Sequence, residues 1–100
     1  MNQIAFLPDA EEEMNAAARF YDLQVDGLGE DFLSELQFAL QSIQKFPYRW
    51  SIFEEDFRKY RLKKFPYNIF YSVSEDQIII IAVAHQKRKP DYWKNRIVYS

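Results

Sequence analysis

One hundred residues with 48% hydrophobic and 18% aromatic content and only 2 Gly and 4 Pro can fill one packed core, which excludes a two-domain enzyme and a disordered chain, so a single domain over residues 1–100 is expected. The absence of Cys removes disulfides, thiolate zinc sites, Fe–S clusters and cysteine nucleophiles. The net charge of −2 conceals an asymmetry: residues 1–57 hold 12 acidic and 3 basic side chains, residues 58–100 hold 10 basic and 3 acidic, which turns the second half toward an anionic partner or the two halves toward each other.

In chain order, Gln3-Ile4-Ala5-Phe6-Leu7 is a short apolar strand that stops at Pro8, whose missing N–H prevents further pairing. No positive n-region precedes it and its apolar run is far shorter than the ~20 residues of a membrane span, so a cytoplasmic chain without membrane contact is expected. Asp9 is placed to cap a helix whose first turn carries Glu11, Glu12 and Glu13. Ala10, Met14, Ala17, Ala18 and Tyr21 recur at helical spacing and form its apolar stripe. Asp26-Gly27-Leu28-Gly29 is the turn into a second helix with Phe32, Leu36, Ala39, Leu40 and Ile43 on one stripe, ended by Pro47. So short a turn predicts an antiparallel helical hairpin. Residues 46–57 show no period and are expected to form a loop.

From residue 58 the period changes to two. Tyr60 and Leu62 alternate with Lys59, Arg61 and Lys63, and Tyr67, Ile69, Tyr71 and Val73 alternate in a further strand after Phe65-Pro66. Ile78 to Ala84 is apolar without alternation, which predicts a strand buried on both faces. The tail from Gln86 to Arg96 is basic and aromatic, with Pro90 and Asp91 favouring a short helical turn. The expected fold is α+β, in the order β-α-α-β-β-β, with the helical hairpin packed on a small antiparallel sheet.

No Gly-rich phosphate loop, metal-spaced His pair or Gly-x-Ser-x-Gly elbow is present, so neither a metal site nor a cofactor is expected. Glu11-Glu12-Glu13 and Glu54-Glu55-Asp56 read as solvated surface charge. His85 is the one histidine; it sits where the buried strand emerges, suited either to acid–base chemistry or to a structural hydrogen bond. Lys59, Arg61 and Lys63 on one strand, with Lys87 and Arg88 beyond the last strand, are expected to converge on a concave anion-binding face interleaved with tyrosines. Aromatic residues such as Phe6, Tyr21, Phe70 and Trp93 exceed what a small core hides and point to a docking surface.

The element order, the turn Asp26-Gly27-Leu28-Gly29-Glu30-Asp31-Phe32, the stretch Phe65-Pro66-Tyr67-Asn68-Ile69-Phe70-Tyr71 and the pattern Ala82-Val83-Ala84-His85-x-x-Arg88-x-Pro90-x-Tyr92-Trp93-x-x-Arg96 together resemble the RelE/ParE superfamily of toxins from bacterial type II toxin–antitoxin systems. The resemblance spans essentially the whole chain and implies a growth-inhibiting toxin in a hetero-oligomer with a cognate antitoxin. Two activities are implied. RelE-like members are ribosome-dependent messenger ribonucleases; their site would fall here on Arg61, His85, Arg88 and Tyr92, with Lys59 and Lys63 beside them. The arginine after the last strand falls near Lys87 or Arg88, and the terminal tyrosine near Tyr92 or, with a one-residue gap, Trp93. ParE-like members bind and poison DNA gyrase and are not enzymes. Asn68 stands where the nucleases carry an Arg that stabilises phosphate charge, a role a neutral amide fills poorly. His85 and Arg88 look more like the ParE and plasmid-stabilisation branch. The gyrase poison is therefore the favoured expectation, and the ribosome and its message are the alternative partners.

Overall fold

The computed structural model describes residues 2–89 and 91–97. Strand β1 (Gln3–Phe6) leads into helix α1 (Pro8–Gln24) and helix α2 (Leu28–Lys45), followed by β2 (Ile52–Glu54), β3 (Phe57–Arg61), β4 (Tyr67–Ser74) and β5 (Gln77–His85). A single 3-10 turn over Lys94–Arg96 comes last. The five strands form one sheet in the order β1-β5-β4-β3-β2, with the hairpin of α1 and α2 against one face.

This is the expected α+β arrangement with two differences in the sheet. Strand β1 pairs parallel to β5, Phe6 lying opposite Ile80, so the sheet is mixed. Four apolar residues ahead of Pro8 carry no sign of their direction. Residues 52–54, expected in a loop, pair antiparallel with Arg58 and Phe57. A three-residue strand shows no periodicity, and the acidic triplet supplies its turn, Glu55 taking a φ of 53°.

The helices bury their predicted stripes. Ala10, Ala17 and Ala18 of α1 and Phe32, Leu36, Ala39 and Ile43 of α2 pack on Tyr60, Leu62, Ile69, Tyr71, Ile78, Ile80 and Val83. Leu7, in extended conformation, is the N-cap of α1, and Pro8 takes a first-turn position suited to its fixed φ. Asp9 therefore lies in the first turn instead of capping it. Helix α2 ends at Lys45, just ahead of Pro47, whose carbonyl accepts a 2.8 Å bond from the buried Tyr71 hydroxyl. Burial pushes that hydroxyl up to about 12.

The sheet's other face has its own core. Tyr71 lies opposite Ile80 and Phe70 opposite Ala82, so Ile81 is an extra, bulged residue. The bulge sends both Ile81 and Ala82 to the outer face, where Phe57, Phe70, Ala84 and Trp93 join them. Trp93 is fully buried, its ring 4.7 Å from Phe70 and 5.1 Å from Phe57. Ile78 to Ala84 is thus the doubly buried interior strand the sequence implies. The expectation for Pro90 lies outside the described residues. Among those described, no helix is long and apolar enough to cross a membrane.

Of the four aromatics expected to be surplus, Phe70 and Trp93 are buried and Phe6 and Tyr21 are half-buried against the core. The outer-face core absorbs the first two. The exposed apolar side chains are instead Phe20, Leu23, Val25, Leu33, Phe38, Phe46, Tyr48 and Ile52, most of them on the helical hairpin.

The hairpin closes through one tight approach. The Gly29 N–H donates to Asp22 Oδ1 at 2.7 Å, and a Cβ on Gly29 would stand 2.4 Å from the Ala18 carbonyl oxygen. Gly27 adopts a φ of 85° in open space. Gly29→Ala is expected to cost about 1–3 kcal/mol through overpacking, whereas Gly27→Ala costs about 1 kcal/mol through its left-handed backbone alone. Urea-unfolding midpoints of the two variants measure both.

Candidate functional site

Strand alternation sets where the cations go. Lys59 lies opposite Phe70 and Arg61 opposite Asn68, both on the outer face. Lys59 lines an outer cleft of about 250 Å³ with Phe53, Asn68, Phe70, Ala84, His85, Gln86 and Arg88. Arg61 is exposed beside this cleft but does not line it. Strand β3 ends at Arg61, and the backbone then turns: the N–H groups of Lys63 and Lys64 donate to the Glu35 carboxylate of α2 at 2.6 and 3.0 Å. That capture brings Lys63 to a different groove, about 900 Å³, beside Tyr21, Asp31, Phe38 and Tyr60 on the hairpin side. The structure therefore gathers Lys59, His85 and Arg88, keeps Arg61 adjacent, and separates Lys63 from them. Lys87 is exposed in the turn after β5.

His85 and Arg88 form a wall between two clefts. Besides the outer one they line a helix-side cleft of about 270 Å³ with Glu13, Ala16, Ala17, Phe20, Tyr67, Val83 and Tyr92. His85 Nδ1 accepts the Lys87 N–H at 3.1 Å, which leaves the proton of a neutral ring on Nε2. Its ring meets the Tyr67 ring edge-on at 5.2 Å. The Arg88 guanidinium sits 3.7 Å above the Tyr92 ring.

Glu13, read from sequence as solvated charge, is instead the hub of this end of the molecule. Its Oε1 accepts the Val83 N–H at 3.0 Å and Arg96 Nη1 at 2.8 Å; its Oε2 accepts the Tyr92 hydroxyl at 2.5 Å and Arg96 Nη2 at 2.8 Å. Arg96 Nη1 also donates to the Ile81 carbonyl at 3.0 Å. Only 16% of the Glu13 side chain and 15% of Arg96 remain exposed. The signal was in the spacing, since Glu13 stands three residues after Ala10 and four before Ala17, on the edge of the apolar stripe. Arg96 carried no comparable sign.

Burial pushes the Glu13 carboxyl up, but bonds from Arg96, Tyr92 and Val83 with the Arg96 charge outweigh it and hold the carboxyl below its usual range. The same contact raises Arg96, chiefly through its bond to Glu13. Burial, then the bond to Glu13, pushes the Tyr92 hydroxyl far above its ordinary value. No group of three His, Asp or Glu side chains able to hold a metal occurs among the described residues.

The chain is thus a helical hairpin on a mixed sheet, with cations around the open end of its interior strand. The family described as ParE toxin of type II toxin-antitoxin system, parDE, matches residues 4–90. The chain belongs to the ParE toxin family. Among solved structures it is similar to a chain described as the chromosomal ParDE TA system from P. aeruginosa, with a TM-score of 0.64 and 14% identity over 85% of this chain and 96% of that one; at that identity the likeness concerns the fold. No curated protein sequence matches it.

Removing Glu13 orphans the Val83 N–H and strips the Arg96 guanidinium of its bidentate partner, leaving it only the exposed Asp9 carboxylate at 3.6 Å and the Ile81 carbonyl. Glu13→Ala is expected to cost about 2–3 kcal/mol, below the full penalty of a completely buried pair because both partners keep some solvent. The carboxyl is lowered in the fold, so its contribution is complete above the ordinary carboxylate pKa and is lost as pH falls through the folded value. Wild type and Glu13→Gln should therefore differ most near pH 7 and converge in acid, as read by urea unfolding across pH 2–7.

Proposed function

We propose that this ParE-family toxin inhibits growth by binding DNA gyrase and is neutralised in a cytoplasmic hetero-oligomer by a cognate antitoxin. The observation that carries the reading is the Tyr92 hydroxyl, which spends its proton on Glu13 at 2.5 Å. A ribonuclease using it as a base would need that hydroxyl free beside the scissile phosphate, but it is committed to Glu13, and burial with that bond makes it harder to deprotonate. Asn68 supports the same conclusion. It occupies the floor of the outer cleft without positive charge, its Oδ1 buried and unpartnered among the described residues. Of the residues lining that cleft, only Lys59 and Arg88 carry a permanent positive charge to meet charge building on a phosphate there. The antitoxin's helix is assigned to the groove along α2, whose apolar wall includes the exposed Phe38 and half-buried Tyr21.

The ribonuclease remains a second reading because Lys59, His85 and Arg88 do share one cleft. In the gyrase reading, purified toxin blocks supercoiling and leaves ribosome-bound message uncut, His85→Ala keeps its toxicity, and Asn68→Arg creates no nuclease. Codon-specific cleavage of message by the wild-type protein, lost in Arg61→Ala or His85→Ala by ~100-fold or more, would favour the nuclease. Coexpression with the product of the neighbouring reading frame should restore growth and give a copurifying complex.

A further inference from the structure

The helix-side cleft is a notch left by small side chains. Ala16 and Ala17 of α1 face it, and Phe20 and the Tyr67 and Tyr92 rings form walls around it, with Val83 also lining it. Phe20 is 54% exposed, an apolar ring at the lip of an apolar hollow. At about 270 Å³ the space lies below the usual range for a free small-molecule site but suits one bulky side chain delivered by a chain.

One wall is cationic and unspent. Glu13 already accepts four hydrogen bonds on its two oxygens, which fills its acceptor capacity. Arg88 approaches it only to 4.0 Å, keeps 56% of its side chain exposed, and makes no side-chain hydrogen bond among the described residues. Lys87 and Lys89 are exposed beside it. Helix α1, which supplies Glu13, Ala16, Ala17 and Phe20 to the cleft, also carries the exposed Glu11 and the exposed Asp9 and Glu12, paired with Arg96 and Arg19. One open guanidinium beside an acid-rich helix matches a single carboxylate better than a polyanion, whose further charges would run along that helix.

We propose that this notch is an anchor site for one large apolar side chain with an adjoining Asp or Glu, presented by an extended segment of a partner protein. It rests on the antitoxin reading for the source of that segment, and its chemistry is separate from the α2 groove. The apolar side chain displaces water between Phe20, Ala16 and Tyr92, and the carboxylate takes the open donors of Arg88.

The test is an NMR titration of the isotope-labelled full chain with a short Gly/Ser peptide bearing Asp-Trp-Asp. The expected result is amide shifts at Ala16, Phe20, Val83 and Arg88, with affinity weakened about tenfold or more by Ala16→Leu, which fills the notch, and by Arg88→Glu. Leu23→Ser, on an exposed part of α1 outside the cleft, should leave the affinity unchanged. No shift at the notch, equal shifts from a Lys-Trp-Lys peptide, indifference to both variants, or stronger shifts from oligothymidylate would each overturn the proposal. Notch binding by the acidic peptide without neutralisation by the neighbouring gene product would remove the antitoxin reading and leave the anchor site standing. Neutralisation that survives both Ala16→Leu and Arg88→Glu undiminished would do the reverse.

Discussion

The carboxylate–guanidinium contact between Glu13 and Arg96 completes a sheet that runs out of backbone. Strand β1 accompanies β5 only as far as Phe6, with a last bond from the Leu7 N–H to the Ile80 carbonyl. Pro8 then diverts the chain into α1. Beyond that point the β5 edge still presents the Ile81 carbonyl and the Val83 N–H. Side chains take over the missing strand: Arg96 donates to the first and Glu13 accepts from the second. Unpaired, each backbone group would cost about 1–3 kcal/mol. The two ions make the fit favourable by forming a bidentate pair with each other.

That arrangement ties together parts far apart in sequence. Glu13 belongs to α1, Val83 to β5 and Arg96 to the segment after it, so one carboxylate fixes the helix against the sheet and seats the C-terminal turn. With Arg96 and Tyr92 held on the edge, Trp93 between them is directed into the outer-face core against Phe53, Phe57 and Phe70. The Ile81 bulge is part of the same fit, since it brings Ile81 and Ala82 together under that ring. Structure and proposed function meet here. Tyr92 spends its hydroxyl on Glu13, anchoring the segment after β5.

Periodicity exposed what depends on repeated spacing. The stripes on α1 and α2, the alternation of β3 and β4 and the unbroken apolar run of β5 follow from burial of one helix face, one sheet face or two. What failed to show has no period. Strand β2 is three residues long, the direction of β1 is fixed by tertiary packing, and the Ile81 bulge shifts register without altering composition. In the site, Lys59 was legible as a cation on an alternating strand, and His85 and Arg88 as a histidine and a cation at the end of the last strand. Glu13 was hidden within Glu11-Glu12-Glu13, because identical neighbours on a helix point in different directions and only the third reaches β5. The wrap of Lys63 toward α2 depends on Glu35, twenty-eight residues earlier, which no local pattern reveals.

The charge asymmetry between the two halves has a double origin. Part of it is internal, for Glu13 and Asp9 pair with Arg96, and Glu54 with Lys94, each an acid of the first half against a base of the second. These contacts act as latches across the topology, drawing the C-terminal turn onto α1 and β2. The remainder is not consumed. The side-chain cations of Lys59, Arg61, Lys63, Lys87 and Lys89 have no carboxylate within 4.0 Å among the described residues, and Arg88 reaches one only at that limit and only where its acceptors are filled. Internal latching and an outward-facing cationic end are thus successive uses of the same imbalance: the acids that touch the C-terminal turn fix its position, and fixing it holds Arg88 at the junction of the two clefts.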